Sequence, residues 1–337
     1  MDLTTSYLGL TIKNPLVPSA SPLSKSVDMA RELEDKGAAA IIMWSLFEEA
    51  ITAESESMVR FLHHQETGFG EAEAGFIPDF QDFAGGTEIY LENLRRLKES
   101  LEIPVIASLN GVTPGGWIEH AKEMEQAGAD ALELNVYYVA GDITRSGAEV
   151  EGRYVSLLTD LRQHIGIPIN MKLSPAFSSL GHLIKQLEAA GADGVALFNR
   201  FYQPDINIDS LRLQSSLHPS TSAEILLPMR WIALLHGRTS LSLGATSGVH
   251  TPDDVIKLLL AGADVVHLCS ALLERGPGYI GNVLQGIADW MGEQGFESIE
   301  EFRGRVSALG VANPAEFERA NYVNILDSYS FSSGVMV

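Results

Sequence analysis

The sequence predicts an α/β fold, a (β/α)8 TIM barrel, on three observations. Eight short apolar segments, at 16–20, 39–45, 104–109, 131–135, 168–173, 194–199, 239–245 and 264–269, alternate with amphipathic helical stretches. Near-continuous apolar runs separated by helices are the mark of a parallel sheet covered on its faces. A second signal recurs at the helix ends: Lys36-Gly37-Ala38-Ala39, Ala127-Gly128-Ala129-Asp130, Ala190-Gly191-Ala192-Asp193 and Ala261-Gly262-Ala263-Asp264. Glycine just past a helix takes the left-handed conformation without a Cβ clash, and a strand starts two or three residues later. Third, Ile103-Pro104-Val105 and Ile167-Pro168-Ile169 each open a strand after a helix. Proline is tolerated there because the first strand residue need not donate to the ladder. Eight strands close such a barrel; the rival doubly wound sheet carries a Gly-rich phosphate turn after an early strand, which is missing.

In chain order, Tyr7-Leu8-Gly9-Leu10-Thr11-Ile12-Lys13-Asn14-Pro15 reads as a short hairpin about a central glycine. With so little chain before it, it is expected to plug the barrel floor. Leu16-Val17-Pro18-Ser19-Ala20-Ser21 is a strand ending in small residues, against which a flat ligand could lie. Long segments follow the second strand (46–88, with Glu48, Glu49, Glu54, Glu56, Gly68-Phe69-Gly70 and Gly75-Phe76) and the sixth (201–222). Loops of that length are usually lids, binding loops or interface elements. After residue 272 the pattern is helix, turn at Gly292–Phe296, and helix, and the tail with Tyr322, Tyr329 and Phe331 is apolar enough to dock on the body or on a second subunit. A single domain over 1–337, with a helical tail from about 273 to 337, is expected.

The chain carries 23 basic and 44 acidic residues, a formal net charge of −21. That balance argues against nucleic acid or an anionic membrane surface as a partner. One cysteine, Cys269, precludes an intramolecular disulfide and suits a reducing compartment. No secretory leader pattern opens the chain and no apolar run approaches a membrane span. A cytoplasmic location is expected.

Catalytic groups in this architecture gather at the C-terminal ends of the strands. Those ends carry Ala20-Ser21, Trp44-Ser45, Ser108-Leu109-Asn110-Gly111, Glu133-Leu134-Asn135, Lys172, Asn199-Arg200, Gly244-Ala245-Thr246-Ser247-Gly248 and Cys269-Ser270. Lys172 stands out because Ile167-Pro168-Ile169-Asn170-Met171-Lys172-Leu173 is an otherwise buried strand. A lone buried ammonium is costly, so it needs an anionic partner: either a ligand or a carboxylate on a neighbouring strand. Three asparagines and a lysine at one mouth suit a flat heterocycle with imide groups. No clustered His, Asp, Glu or Cys suggests a metal site. Thr246-Ser247-Gly248-Val249-His250-Thr251-Pro252-Asp253-Asp254 and Cys269-Ser270-Ala271-Leu272 are small-residue turns entering helices after strands seven and eight. Such turns either bind phosphate through backbone N–H groups or merely cap their helices. With the fifth-strand lysine and the asparagines, they suggest a flavin mononucleotide (FMN) oxidoreductase whose lysine stabilises the negative charge that develops on reduction.

Over nearly its whole length the sequence resembles the dihydroorotate dehydrogenase family, class 1. The matching pieces, in order, are Asn14-Pro15, Ser19-Ala20-Ser21, Ser108-Leu109-Asn110-Gly111, Glu133-Leu134-Asn135, Lys172-Leu173-Ser174-Pro175, Asn199, Ser247-Gly248-Val249 and Gly262-Ala263-Asp264 through Ser270-Ala271-Leu272. Gly276-Pro277, Gly295-Phe296-Glu297-Ser298-Ile299 and Phe302-Arg303-Gly304 also match. The resemblance implies FMN contacts from Ala20, Ser21, Ser45, Asn135, Lys172, Asn199, Gly248, Cys269 and Ser270, which Asn110 and Ser247 join from the strand-end reading. It implies oxidation of dihydroorotate to orotate in pyrimidine biosynthesis, and a dihydropyrimidine-like substrate at this mouth is expected to meet Asn110, Asn199 and Arg200. Lys172, Asn135 and Tyr138 form the expected catalytic set. Tyr138 stands where the family's motif has the cysteine or serine base, and an unperturbed phenol, pKa about 10, is a poor base at neutral pH. Trp44-Ser45 replaces a Lys-Ser or Lys-Thr pair, and the family's substrate-gripping Asn-x-x-Gly-x-x-Asn segment is not recognisable in 46–88.

Other residues have plainer readings. Arg200 either binds a substrate anion or forms a structural ion pair; His250 reads as a helix-start residue, His63-His64 as surface, and Trp44 as packing against the flavin edge. Three functions compete: an FMN oxidoreductase, a Schiff-base lyase through Lys172, and a flavin-binding paralogue without turnover. The implied partners are a soluble electron acceptor, since one cysteine cannot hold an iron–sulfur cluster, and a second copy in a homodimer.

Overall fold

Eight parallel strands form one sheet in the computed structural model, which describes residues 1–48, 86–111, 117–200, 203–214, 217–318 and 322. The chain runs β1 (Thr5–Tyr7), β2 (Leu10–Ile12), β3 (Leu16–Pro18), α1 (Val27–Asp35), β4 (Ile41–Phe47), α2 (Gly86–Ser100), β5 (Val105–Gly111) and α3 (Trp117–Gln126). It continues β6 (Ala131–Val136), α4 (Gly147–Arg162), β7 (Ile169–Leu173), α5 (Leu180–Ala189), β8 (Gly194–Leu197), β9 (Asp205–Asn207), β10 (Arg212–Gln214) and α6 (Leu226–Leu235). It ends with β11 (Ser242–Ala245), α7 (Pro252–Ala261), β12 (Val265–Leu268), α8 (Ser270–Arg275) and α9 (Tyr279–Gln294). The order in the large sheet is β3-β12-β11-β8-β7-β6-β5-β4. At its two edges the Ala39 N–H donates to the Leu16 carbonyl at 3.0 Å, so the sheet is nearly closed. This is the eight-stranded α/β barrel that the strand pattern predicts, with strand ends moved by up to three residues.

The recurring motifs have physical roles. Gly37, Gly128, Gly191 and Gly262 all take positive φ, between 97° and 114°, the conformation glycine adopts at no steric cost. The aspartates that follow three of them tie each strand to the one before it. Asp130 Oδ2 accepts from the Val105 N–H at 2.7 Å, Asp193 Oδ2 from Ile169 at 2.8 Å and Asp264 Oδ2 from Leu243 at 2.7 Å. Each also meets a cation, Lys98, Arg162 and Arg303 respectively. Pro104 and Pro168 give up no ladder donor; their carbonyls accept from Ile41 and Leu132 at 2.9 and 2.8 Å.

Side chains alternate about the barrel wall. Met43, Leu132, Leu134, Met171 and Val266 pack outward against helices, whereas Val17, Ile42, Ile106, Ala131 and Val265 point inward to meet Tyr7, Leu8 and Ile12 of the β1–β2 hairpin. The hairpin does plug the floor. Leu8 is 2% exposed, its N–H donates to Ser242 Oγ at 2.9 Å, and a Cβ at Gly194 would lie 2.5 Å from Leu8 Cδ2. Above this plug, His267 meets the Tyr7 hydroxyl at 3.4 Å. Burial, with Lys172 nearby, pushes the imidazole down to about 3.

Three expectations need correction. The segment 201–222 is not a plain loop: β9 and β10 pair as an antiparallel hairpin within it. Between Gly295 and Glu318 no second α-helix forms. Gly304 takes φ +73°, which ends any helix, and short 3-10 turns at Ile299–Glu301 and Pro314–Phe317 stand instead. That run is held by backbone bonds from Gly304, Val306 and Ala308 to Leu259, Leu260 and Ala233. The seventh strand starts at Ser242 because Thr239 and Ser240 are drawn off to Glu188 Oε1. The glutamate- and glycine-rich part of the 46–88 segment, His63-His64, Tyr329 and Phe331 lie outside the described residues. Among the described residues, no helix is long and apolar enough to cross a membrane.

Two outcomes follow. Leu8→Ala should lower the unfolding free energy by about 3 kcal/mol in urea titrations, the cost of a cavity at a packed leucine. His267 is neutral in the native barrel, whereas the unfolded chain takes up a proton as pH falls through about 6.5. Stability should therefore decline between about pH 6.5 and 3, and His267→Gln should flatten that part of the urea-unfolding profile.

Candidate active site

A cavity of about 520 Å³ opens at the C-terminal ends of the barrel strands. The fold builds it from the short residues that end each strand: Ser19, Ala20 and Ser21 after β3, Ser45 on β4, Asn110 on β5, Asn135 on β6 and Lys172 on β7. Asn199 and Arg200 follow β8, Thr246, Ser247 and Gly248 follow β11, and Cys269 and Ser270 follow β12.

Lys172 lies at the bottom, its side chain 9% exposed, and donates to Glu133 Oε1 at 3.3 Å; that carboxylate is fully buried. Lys172 therefore has the carboxylate partner on the neighbouring strand and also lines the cavity. Glu133 Oε2 accepts from Asn170 Nδ2 at 3.3 Å. Asn135 is in register with both Asn110 and Lys172. Asn199 Nδ2 donates to Asn135 Oδ1 at 2.5 Å, so the asparagine wall is preorganised. Ser45 and Ser108 share a hydroxyl–hydroxyl bond of 2.8 Å. Burial pushes the Cys269 thiol up from its ordinary value, with Lys172 opposing.

At the other end, Ser247 and Gly248 take consecutive left-handed conformations, φ 79° and 80°. The Ser247 hydroxyl donates to the Phe198 carbonyl at 3.1 Å. A Cβ at Gly248 would lie 2.7 Å from Ile225 N and 2.9 Å from Thr221 O, so only glycine fits between them. Among the described residues the Gly248 and Val249 N–H groups have no acceptor. Ser220 bridges this turn to α8, its N–H and hydroxyl donating to Ser270 Oγ at 3.2 and 3.1 Å. His250 is a helix-start residue as expected: its N–H donates to Asp254 Oδ2 at 3.0 Å, within the Thr251–Asp254 cap of α7.

One expected site residue is placed differently, and a second is engaged by the protein itself. Tyr138 does not line the cavity; it packs against the core with Arg153 stacked on its ring, 4.9 Å from the centroid. The neighbouring Tyr137 lines the cavity instead. Arg200 reaches the mouth, but its Nε donates to Glu224 Oε2 at 3.0 Å and its other nitrogens to the His218 and Pro219 carbonyls. That is the structural ion pair, and it holds the segment leading to Ser220.

Sequence reading named Glu133 at a strand end without giving it a role, and missed His267 and Lys25. Glu133 and His267 each lie two residues before a recognised site position, so the two-residue period of a strand turns them to the same inner face. Lys25 has no such signal. It reaches the cavity because Ser24 Oγ accepts from the Trp44 N–H at 2.7 Å, at an irregularity in β4, and its ammonium lies 5.9 Å from the Trp44 ring centre. Trp44 packs edge-on against Tyr90. Among the described lining residues Lys25, Lys172 and Arg200 are cations and none is a carboxylate, in a chain of net charge −21. Among the described residues no three His, Cys, Asp or Glu side chains gather as a metal site would require.

The family model for dihydroorotate dehydrogenase matches residues 2–291. The catalytic subunit of dihydroorotate dehydrogenase B (NAD(+)) from Pyrococcus abyssi (strain GE5 / Orsay) is 27% identical over 308 residues, 90% of this chain and 98% of that protein. The NAD-dependent dihydropyrimidine dehydrogenase subunit PreA of Escherichia coli (strain K12) is 24% identical over 347 residues, 96% of this chain and 80% of that protein. A strand-end cavity with a buried lysine and a glycine turn agrees with that match, and the chain belongs to the dihydroorotate dehydrogenase family of oxidoreductases.

Proposed function

We propose that the chain is an FMN-dependent oxidoreductase acting on a CH–CH bond of a dihydropyrimidine-like ring. The observation that carries this reading is a cavity whose described lining holds cations and amides but no carboxylate, with a buried lysine among its strand-end residues and a glycine turn after β11. The donor set fits the cofactor. The N–H groups of Gly248 and Val249, with Ser247 and Ser270, suit a phosphate monoester, for which backbone donors in left-handed turns are effective partners. Ala20, Ser21, Ser45, Asn110, Asn135, Asn199 and Cys269 supply the small side chains and amides that a flat imide ring requires.

When bound, the flavin supplies a hydride acceptor. Lys172 contributes a fixed positive charge where negative charge accumulates, and preorganised charge of this kind costs no reorganisation during reaction. Glu133 holds the Lys172 nitrogen by a hydrogen bond at 3.3 Å, whereas a Schiff-base lyase needs that nitrogen free to attack a carbonyl, which disfavours the lyase. Asn110, Asn135 and Asn199 orient the ring of the substrate. Dihydroorotate is the substrate named by the family, and the PreA relative is named for dihydropyrimidines.

The position of Tyr138 away from the cavity favours a second reading. The chain binds flavin but removes no proton from dihydroorotate, so that its substrate differs or turnover is lost. Either reading includes one domain over 1–337, a soluble electron acceptor, a homodimer and a cytoplasmic setting.

Anaerobic mixing of the FMN-loaded protein with dihydroorotate, and separately with dihydrouracil, tests the choice. Bleaching of the flavin band near ~450 nm by either compound supports the first reading, whereas an unbleached band with both supports the second. Lys172→Met should slow that bleaching by about 10²-fold, as loss of a charge-stabilising donor does. Gly248→Ala should weaken FMN binding by about tenfold or more in fluorescence titrations, because the new methyl displaces Thr221 and Ile225.

A further inference from the structure

Among the described residues, His267 is the buried titratable group in the cavity wall that the proposed chemistry leaves unused. It lies on β12, is 2% exposed, and lines the cavity together with Lys172. Its Nε2 is 3.4 Å from the Tyr7 hydroxyl and would be 3.1 Å from a Cβ at Gly244, so that side of the ring is packed. Its Nδ1 is buried and, among the described residues, has no hydrogen-bond partner. Buried polar atoms are rarely left in that state, since each costs about 1–3 kcal/mol.

The tautomer follows from counting protons. The imidazole is neutral, because burial and the Lys172 ammonium both oppose a second positive charge. It therefore carries one proton, on Nδ1 or on Nε2. Tyr7 stays protonated, since burial and the Glu133 and Asp264 carboxylates push its hydroxyl well above the ordinary phenol range. If Nε2 carried the proton and donated to Tyr7, the phenol O–H and Nδ1 would both lack partners. If the Tyr7 hydroxyl donates to Nε2, only the Nδ1 N–H is left over. The second arrangement leaves one group unpaired instead of two.

We propose that Tyr7 holds the proton of His267 on Nδ1, and that this N–H is a second donor beside Lys172, taking a carbonyl-type or anionic acceptor of the molecule bound in the cavity. The floor hairpin is then more than a stopper. It sets the hydrogen-bonding character of the cavity from below, through one hydroxyl, without touching the ligand. The groups around the imidazole agree: Lys172 from β7 and Cys269 after β12 offer no acceptor stronger than a ligand oxygen, and Glu133 on β6 is already engaged by Lys172 and Asn170. The inference rests on the flavin reading only for the identity of the acceptor. On that reading His267 and Lys172 together stabilise charge on the reduced ring.

The test uses the full chain labelled with 15N and a two-bond 1H–15N spectrum of its imidazoles. Wild-type His267 should be neutral with its proton on Nδ1, and Tyr7→Phe should shift the proton toward Nε2 while the folded amide spectrum is retained. His267→Leu should weaken FMN binding at least about tenfold and lower the reduced-to-oxidised flavin ratio at fixed potential about tenfold, roughly 30 mV for a two-electron couple. His267→Gln, whose amide can donate, should recover most of both. An Nε2-protonated His267 in the wild type overturns the inference, as does a His267→Leu protein with unchanged FMN affinity and potential. A wild type that takes up no FMN refutes the flavin reading, while the tautomer spectrum still decides the Tyr7–His267 assignment.

Discussion

An ammonium inside a barrel is the constraint around which this molecule is arranged. Removing Lys172 from water costs several kcal/mol, and that cost is offset only if a counter-charge and hydrogen bonds meet it. Glu133 supplies the counter-charge from the adjacent strand at 3.3 Å and is itself held by Asn170. Such a pair adds little net stability. Its consequence is positional: the lysine is fixed at the bottom of the cavity before any ligand arrives, on two rigid strands rather than on a loop.

The rest of the site is organised by contrast with the exterior. The chain is strongly acidic, yet the described cavity lining has three cations and no carboxylate. Among the described residues, carboxylates sit underneath or beside the cavity lining: Glu133 under Lys172, Glu224 on Arg200, Asp254 on the cap of α7. This division leaves backbone N–H groups and amide side chains as the surface a ligand meets. The Ser247–Gly248 turn extends the same logic, since two successive left-handed residues turn their amides away from the protein's own acceptors. The polar interior is closed off below by Tyr7 and Leu8, which separate it from solvent at the barrel floor.

The periodic features were legible in the sequence. The Gly-Ala-Asp repeats mark where each helix ends and the next strand begins, because their conformational demand is local. The strand ends were legible for the same reason, and of the thirteen residues given a cofactor, substrate or catalytic role twelve line the cavity: Ala20, Ser21, Ser45, Asn110, Asn135, Lys172, Asn199, Arg200, Ser247, Gly248, Cys269 and Ser270. Tyr138, the thirteenth, was assigned by alignment to a motif, and the backbone after β6 presents Tyr137 to the cavity instead. Glu133 was named at its strand end but its pairing with Lys172 was not, and His267, readable in principle from the two-residue strand period, is hidden in an apolar run. Lys25 was not readable, since it depends on the Ser24–Trp44 hydrogen bond, a contact across 20 residues of chain. The stretch from Gly295 to Glu318 shows the limit of apolar periodicity: Gly304 and the backbone bonds onto α6 and α7 outweigh it there.

What remains most exposed to refutation is the identity of the molecule that fills the cavity. The most direct measurement is the visible absorption spectrum of the protein as purified, followed by denaturation and chromatography of whatever is released. The account predicts a yellow protein that releases FMN at about one per chain. A colourless protein that stays colourless after incubation with excess FMN and gel filtration would contradict it.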